Sequence, residues 1–550
     1  MKKDFLLGII ILSCLLRLWH LGEIPSGLHS DEAAFGYNAF SILKTGKDEY
    51  GVPFPLILKS FGDFKGAVYA YTVVPFISLS GLTPWAVRMP SAISGVLIVL
   101  LTYGLAFQLT KKKPIAFVSA FLSAISPVMV ILSRVQSDPL MSVLFILCGL
   151  YTLAVGIEKR RYWWLVVSFL FCLLSIYTNS STRPFLLMIF PLFIWFCPGK
   201  KDKKSLVASG LVYLAVLGVG IGLSLGSQTE RLSQVSIFQK MDVQLVLEEK
   251  IREDGVGKVP ILYSRMFHNK VVDYGRFFVR NYSQYLSFEF LFDEAKLPKR
   301  ENIPCVGIMY IVELPFLLYG MLVLLRRRER WNIGLLLWFF LSPLSVVVAS
   351  DESPNIHRIA TIAFSTSVIV AVGLITVFQK IRTRAGKLMY VMGISACFIG
   401  SLVFFLHQLF LHQPIHFPFY RGYAYEKLIA RIMEEYYPKY EKIVITKGKG
   451  SPYIYLLFFS SYDPARYQKF GSPHDLDFQG FDKFLFVPQD CPMENTMFEE
   501  EKKTGKVVFI HTDTCKSTVN TKVLETIPWK DGSPAFQIVV WQASVSGQLL

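Results

Sequence analysis

Long apolar runs, each flanked by short polar segments, organise the chain as far as about residue 411. Runs of bilayer-spanning length predict eleven helices: Phe5–Leu21, Ala92–Leu109, Ile115–Leu132, Pro139–Val155, Tyr162–Tyr177, Pro184–Phe196, Ser205–Leu225, Pro304–Leu325, Trp331–Ala349, Ile359–Phe378 and Leu388–Leu411. Three longer polar stretches interrupt or follow them: residues 22–91, residues 226–303 and the tail from 412. The tail changes period. Tyr425–Tyr436 has helical spacing, Lys442–Thr446, Lys483–Val487 and Lys506–His511 read as strands, and Tyr453–Phe459 reads as helix or strand. Its pattern is that of a small α/β domain, whereas Tyr263–Phe292, rich in Tyr, Phe and Arg, suits amphipathic helices lying on a membrane. The expected organisation is therefore a membrane domain over 1–411, with loops 22–91 and 226–303, followed by an α/β domain over 412–550.

Composition agrees: 52% of residues are hydrophobic and 18% are charged, too much apolar surface for one soluble core. The basic residues collect at Lys2-Lys3, Lys111 to Lys113, Lys159 to Arg161, Lys200 to Lys204, Arg326 to Arg330 and Lys380 to Lys387, in alternate turns. The positive-inside rule then places the amino terminus in the cytoplasm, and residues 22–91 and the tail outside, in the plasma (inner) membrane. The net charge of +16 is accounted for by these inner clusters, which removes the case for nucleic acid. The first run lacks a small-x-small cleavage site and reads as an uncleaved signal anchor. Cys14, Cys148, Cys172, Cys197 and Cys397 lie within apolar runs as small hydrophobes, and no zinc spacing occurs. Cys491 and Cys515 lie in the tail, where they either pair in an oxidising compartment or remain thiols.

Ionisable residues on the outer side break the topology bias. His29-Ser30-Asp31-Glu32 follows the first span and opens a short helix, Ala33–Leu43. Ser30 could cap that helix and the acids could complement its dipole, but two carboxylates and a histidine at a membrane boundary also suit chemistry. Gly62-Asp63-Phe64-Lys65 and Trp85-Ala86-Val87-Arg88-Met89-Pro90-Ser91 follow in the same loop. Short outer turns then carry Ser133-Arg134 with Asp138, Asn179–Arg183, and Asp351 and Glu352 with His357 and Arg358. Boundary charges on one side suggest a shared polar cavity, in which bases hold a phosphate and a carboxylate accepts a proton from an attacking hydroxyl or amine. There is no Walker A loop and no Rossmann glycine fingerprint, so the energy comes from the substrate or an ion gradient.

In this order the segments Asp31-Glu32, Gly62-Asp63-Phe64-Lys65, Arg88-Met89-Pro90-Ser91 and Ser133-Arg134 with Asp138 resemble the integral-membrane glycosyltransferases of the GT-C superfold, in the branch of the protein O-mannosyltransferases and the lipid A aminoarabinose transferase. The resemblance covers roughly residues 1–380. It implies a polyprenyl-phosphate-linked sugar as donor and direct displacement with inversion at the anomeric carbon. It also implies Asp31 as general base, Glu32 as its supporting neighbour, and Asp138 as a second acid that orients the acceptor or helps hold a divalent metal. Lys65 matches a lysine that binds the donor phosphate. Arg134 and Arg358 are added to the phosphate set by position, with His29, Arg88, Arg183 and His357 as supports around the site. A WWDYG-like acceptor motif is absent, which favours transfer of a single sugar to a protein, lipid or glycan acceptor. The competing class is a multi-pass transporter or flippase for a lipid-linked or anionic substrate, whose expected mark is helices broken at mid-span. A membrane-anchored scaffold is the third class, and acids in separate short turns do not suit it.

Overall fold

The computed structural model describes residues 2–61, 63–198, 203–225, 241–295, 298–347, 353–416, 422–448, 450–470, 480–515 and 520–542. The chain divides into two compact units: Met1–Trp19 with Ser91–Gln408, and His20–Pro90 with Leu409–Leu550.

The first unit is helical. All eleven apolar runs are helix over most of their length. Among the described residues, five helices are long and apolar enough to cross a membrane: Pro84–Thr110, Asp138–Lys159, Lys203–Leu223, Arg358–Lys380 and Arg384–His412. The sixth, Lys113–Ile125 with Pro127–Ser133, is bent by 54°. The rest of the expected eleven fall on shorter helices such as Lys2–Leu18, Trp163–Thr178 and Arg183–Phe196. Such helices mark an integral membrane protein.

Packing in this unit uses the devices of helices in lipid, where close backbone approach replaces the hydrophobic drive. A Cβ on Gly320 would lie 2.1 Å from the Ile369 carbonyl oxygen, and one on Gly373 would lie 2.2 Å from that of Phe316. Helices Leu314–Arg327 and Ile362–Lys380 can touch at these points only as glycine. The 54° bend has a cause in the sequence. Pro127 has no N–H to give the Ser123 carbonyl, and the break leaves the Ala124 carbonyl unserved as well. The buried Arg17 guanidinium supplies both, at 3.3 Å to Ser123 O and 2.9 Å to Ala124 O.

The second unit holds two sheets. β1 (Ile57–Ser60) and β2 (Asp63–Gly66) form an antiparallel hairpin with Leu58 opposite Lys65. In the tail, β3 (Lys442–Thr446), β4 (Gly480–Phe481), β5 (Phe484–Val487), β6 (Val507–Thr512), β7 (Thr521–Pro528) and β8 (Pro534–Trp541) form a six-stranded sheet in the order β4-β5-β3-β6-β8-β7. β3 lies parallel to β5 and β6, and the other pairings are antiparallel. The expected strands correspond to β3, β5 and β6. β7, exposed or half-buried along most of its length, and β8, a largely apolar strand with Gln537 as its one polar side chain, are not among the strands expected from the sequence. Tyr453–Phe459, ambiguous by period, is helical within Pro452–Phe459. That helix packs on the Ser30–Thr45 helix, where a Cβ on Gly36 would meet the Phe458 ring at 2.5 Å. Cys491 and Cys515 are joined by a disulfide. The Val68–Ser80 helix, in the 22–91 stretch, is apolar and was not legible as a separate element.

Candidate functional site

In the second unit the site begins at the entry to the Ser30–Thr45 helix. His29, not Ser30, is the N-cap: its Nδ1 accepts the Asp31 N–H at 3.2 Å. Glu32 closes the reciprocal bond, accepting the His29 N–H at 2.9 Å. Both Glu32 oxygens also meet Arg88, at 3.1 Å from Nε and 3.4 Å from Nη2. Both side chains are buried, Arg88 fully so and Glu32 to within 3% of full burial. The remaining Arg88 donors reach the carbonyls of Leu21 (3.0 Å), Pro25 (3.0 Å) and Gly27 (2.5 Å). One guanidinium thus ties the helix start to the loop before it.

With Glu32 committed to the cap and to Arg88, the neighbouring acid is the reactive candidate. Asp31 lies 31% exposed and its Oδ1 accepts directly from the Lys65 ammonium, which β2 carries. The Lys65 Nζ also stands 5.8 Å from the Phe35 ring centre and 5.5 Å from that of Phe61. Asp31 and Phe35 are one helical turn apart, so a single face of one helix presents both to the lysine. Phe61 adopts φ 51° at the hairpin turn and rests edge-on against Tyr453 at 6.1 Å. Neither phenylalanine was legible as a site residue; the Asp31/Phe35 spacing was the available signal. Gly62 lies outside the described residues.

Farther along the Ser30–Thr45 helix, Asn38 and Glu49 exchange hydrogen bonds: Asn38 Nδ2 donates to Glu49 Oε1 and Glu49 N–H donates to Asn38 Oδ1, each at 3.0 Å. This holds the following loop against the helix. Burial raises the Asp48 carboxyl above its ordinary range, against the opposing effect of the Tyr50 and Val52 N–H groups that it accepts.

The first unit holds the other acid. Asp138 is the first residue of its helix, and its oxygens accept from Asn179 Nδ2 at 2.6 Å and Gln136 Nε2 at 3.2 Å. The N-cap Ser137 bonds His357 Nδ1 at 3.2 Å, and His357 Nε2 lies 3.6 Å from Glu301 Oε2. Arg358 is half-buried at the start of a 3₁₀ turn, Arg358–Thr361. Asp351 and Glu352 lie outside the described residues.

Arg134, expected on the donor phosphate, is fully buried with Nη1 on Leu16 O (2.9 Å) and Nη2 on Trp19 O (2.6 Å). Leu16 belongs to the last turn of the Lys2–Leu18 helix, where carbonyls lack partners in the helix itself, and Trp19 is the residue that follows it. Arg183 Nε likewise donates to Ile176 O at 2.9 Å. Among the described residues, the one grouping of three candidate metal-ligand side chains is Cys491, Glu494 and Cys515, and its two sulfurs are bonded to each other.

Of the sequence-based candidates, the structure brings together Asp31 with Lys65 and Glu32 with Arg88, and separately Asp138 with Asn179 and His357 with Ser137.

Residues 65–225 match the Dolichyl-phosphate-mannose-protein mannosyltransferase family. Over 141 residues the chain is 29% identical to the "Putative mannosyltransferase YkcB" of Bacillus subtilis (strain 168), a stretch amounting to 25% of this chain and 20% of that relative. The chain thus spans about a fifth of the length of the curated relative it matches. In structure it is similar to ArnT from Cupriavidus metallidurans bound to undecaprenyl phosphate, with a TM-score of 0.56 at 11% identity over 100% of both chains. The same protein in the apo state gives a TM-score of 0.54 at 11% identity, covering 100% of this chain and 99% of that one. The resemblance read from the sequence therefore holds, and the fold is the GT-C fold of ArnT with a sheet domain at the carboxyl end.

Proposed function

From a fold shared with ArnT and a segment matched to mannosyltransferases, we propose that this protein is a membrane glycosyltransferase. It moves one sugar from a polyprenyl-phosphate donor to a hydroxyl or amine of a protein, lipid or glycan acceptor, on the outer face of the plasma membrane. The observation that carries the reading is the Asp31–Lys65 contact, a carboxylate and an ammonium presented side by side by a capped helix and a hairpin.

Chemically, such a pair suits displacement at an anomeric carbon. Asp31 takes the proton of the acceptor O–H or N–H as that atom bonds to C1. The bond from C1 to the phosphate oxygen breaks, and its electron pair stays on the polyprenyl phosphate. Attack from the face opposite the phosphate inverts C1. The leaving phosphate gains negative charge as the bond lengthens, so a fixed ammonium at Lys65 stabilises the transition state more than the ground state. Glu32 and Arg88 hold Asp31 at the helix start without touching the substrate.

Asp138, held by Asn179 and Gln136, lies in the first unit. Arg134 and Arg183 are left out of the phosphate set because they direct donors to backbone carbonyls. No step is routed through a metal.

The test is a transfer assay in proteoliposomes with defined undecaprenyl-phosphate-linked sugars. The wild-type protein transfers sugar, and Asp31→Asn abolishes transfer while the protein stays folded, its melting temperature lowered by no more than about 4 °C. Substantial transfer by Asp31→Asn sinks the base assignment. Donor translocation without transfer would favour a flippase.

A further inference from the structure

We propose that Asp31 is a competing ligand for Lys65, displaced when the donor phosphate binds, and that Phe35 and Phe61 are positioning residues that keep the lysine in place during the exchange. The inference rests on the donor reading above and deepens it.

Three sides of the Lys65 ammonium are specified. Asp31 Oδ1 is in direct contact, and the faces of Phe35 and Phe61 stand 5.8 and 5.5 Å away. Lys65 is only 12% exposed, while Asp31 is 31% exposed. The carboxylate is therefore the more open side of the seat, and a lipid phosphate reaching the ammonium competes with it for the same N–H donors.

The aromatic sides are more fixed. Phe35 is buried to 2% within the Ser30–Thr45 helix and packs edge-on against Tyr69 at 5.4 Å. Phe61 sits at φ 51°, a backbone conformation costly for a bulky residue, and such strain persists where surrounding structure enforces it. Ring faces attract a cation without neutralising it. They can thus retain the ammonium while its anionic partner changes from carboxylate to phosphate.

The exchange has a mechanistic consequence. Before the donor arrives, Asp31 is occupied with Lys65 and is a poor proton acceptor. Donor binding frees the carboxylate at the moment a sugar is in place, which links loading of the site to activation of its base.

The experiment measures undecaprenyl phosphate affinity of the full chain in nanodiscs. Lys65→Gln weakens binding by tenfold or more. Asp31→Asn, with Asp31→Ser as a second variant should the first fail to fold, tightens binding about two- to fivefold, the range for a partly exposed ion pair lost from the free state. In the Lys65→Gln background, Asp31→Asn changes affinity by less than about twofold, because the competition acts through the lysine. For the ring, Phe61→Leu weakens binding and Phe61→Tyr restores it, a rescue that a merely space-filling role would not require.

Unchanged or weaker binding in Asp31→Asn overturns the exchange. Equal tightening with and without Lys65 also overturns it, leaving plain charge repulsion. If Phe61→Leu binds as the wild type does, the positioning role fails. Failure of the wild-type protein to bind the probe overturns the donor reading and the exchange together.

Discussion

Replacing Arg88 with alanine removes one side chain and strips partners from at least four buried acceptors. Glu32 loses its ion pair at 3.1 Å, and the carbonyls of Leu21, Pro25 and Gly27 lose donors at 3.0, 3.0 and 2.5 Å. Because Arg88 is fully buried, solvent screening does not soften the loss. Breaking a buried pair from one side costs about 3–5 kcal/mol, largely because the surviving charge has no compensation. The carbonyls add to this, at about 1 kcal/mol or more for each that water cannot reach. For a unit of roughly 200 residues, each kcal/mol lowers Tm by about 2–4 °C, so Arg88→Ala should melt at least about 6 °C lower. Glu32→Gln should cost less, since the amide still accepts from the His29 N–H and Arg88 keeps its carbonyls. Arg88→Lys should fall between them, as an ammonium cannot span the carboxylate and three carbonyls at once. The assay is thermal unfolding in detergent, followed by tail-directed proteolysis and by sugar transfer. An Arg88→Ala protein that melts within 2 °C of the wild type and transfers sugar normally would refute the clamp.

Four further outcomes are expected. Gly320→Leu and Gly373→Leu should each lower the melting temperature or abolish folded yield, because a Cβ would enter within 2.2 Å of a facing carbonyl oxygen; normal melting would contradict the packing. Gly36→Leu should loosen the Pro452–Phe459 helix from the Ser30–Thr45 helix, seen as faster hydrogen exchange in both, since its Cβ meets Phe458 at 2.5 Å. Reducing the Cys491–Cys515 bridge, which closes a loop of 24 residues, should destabilise the tail by about 3 kcal/mol, checked by melting with and without reductant. His511 is buried and desolvation lowers its pKa to about 4, with Nε2 accepting the Met493 N–H. The unfolded chain binds this proton first, so His511 contributes stability above pH 6.5 that is lost as pH falls toward 4, on the order of 2–3 kcal/mol. His511→Gln should flatten that acid limb in pH-dependent melting, and an unchanged limb would exclude His511 as its source.

Much of the helical architecture was legible because a residue facing lipid or packed helix must be apolar throughout, and an uninterrupted apolar run of bilayer length has few other uses. The strand period was legible for β3, β5 and β6, whose cores are near-continuous Val, Ile and Phe, as parallel strands buried on both faces require. β7, an edge strand, has exposed and half-buried positions nearly throughout and carries no such signal. The hairpin of β1 and β2 is too short for a periodic pattern, yet it carries Lys65 to Asp31 across 34 positions of sequence.

A cation at the end of a span has a use besides lining a polar cavity, which four arginines show. Arg17 serves carbonyls orphaned by Pro127, Arg134 the end of the first helix, Arg183 the Ile176 carbonyl, and Arg88 the loop before the acidic helix. Each element break near a membrane leaves carbonyls without partners, and water is scarce there. A guanidinium, with five donors in a fixed fork, meets that need at one position. Lysine is suited to the task less well, being a compact charge with three donors. That difference fits Lys65, which meets the Asp31 carboxylate and the faces of Phe35 and Phe61.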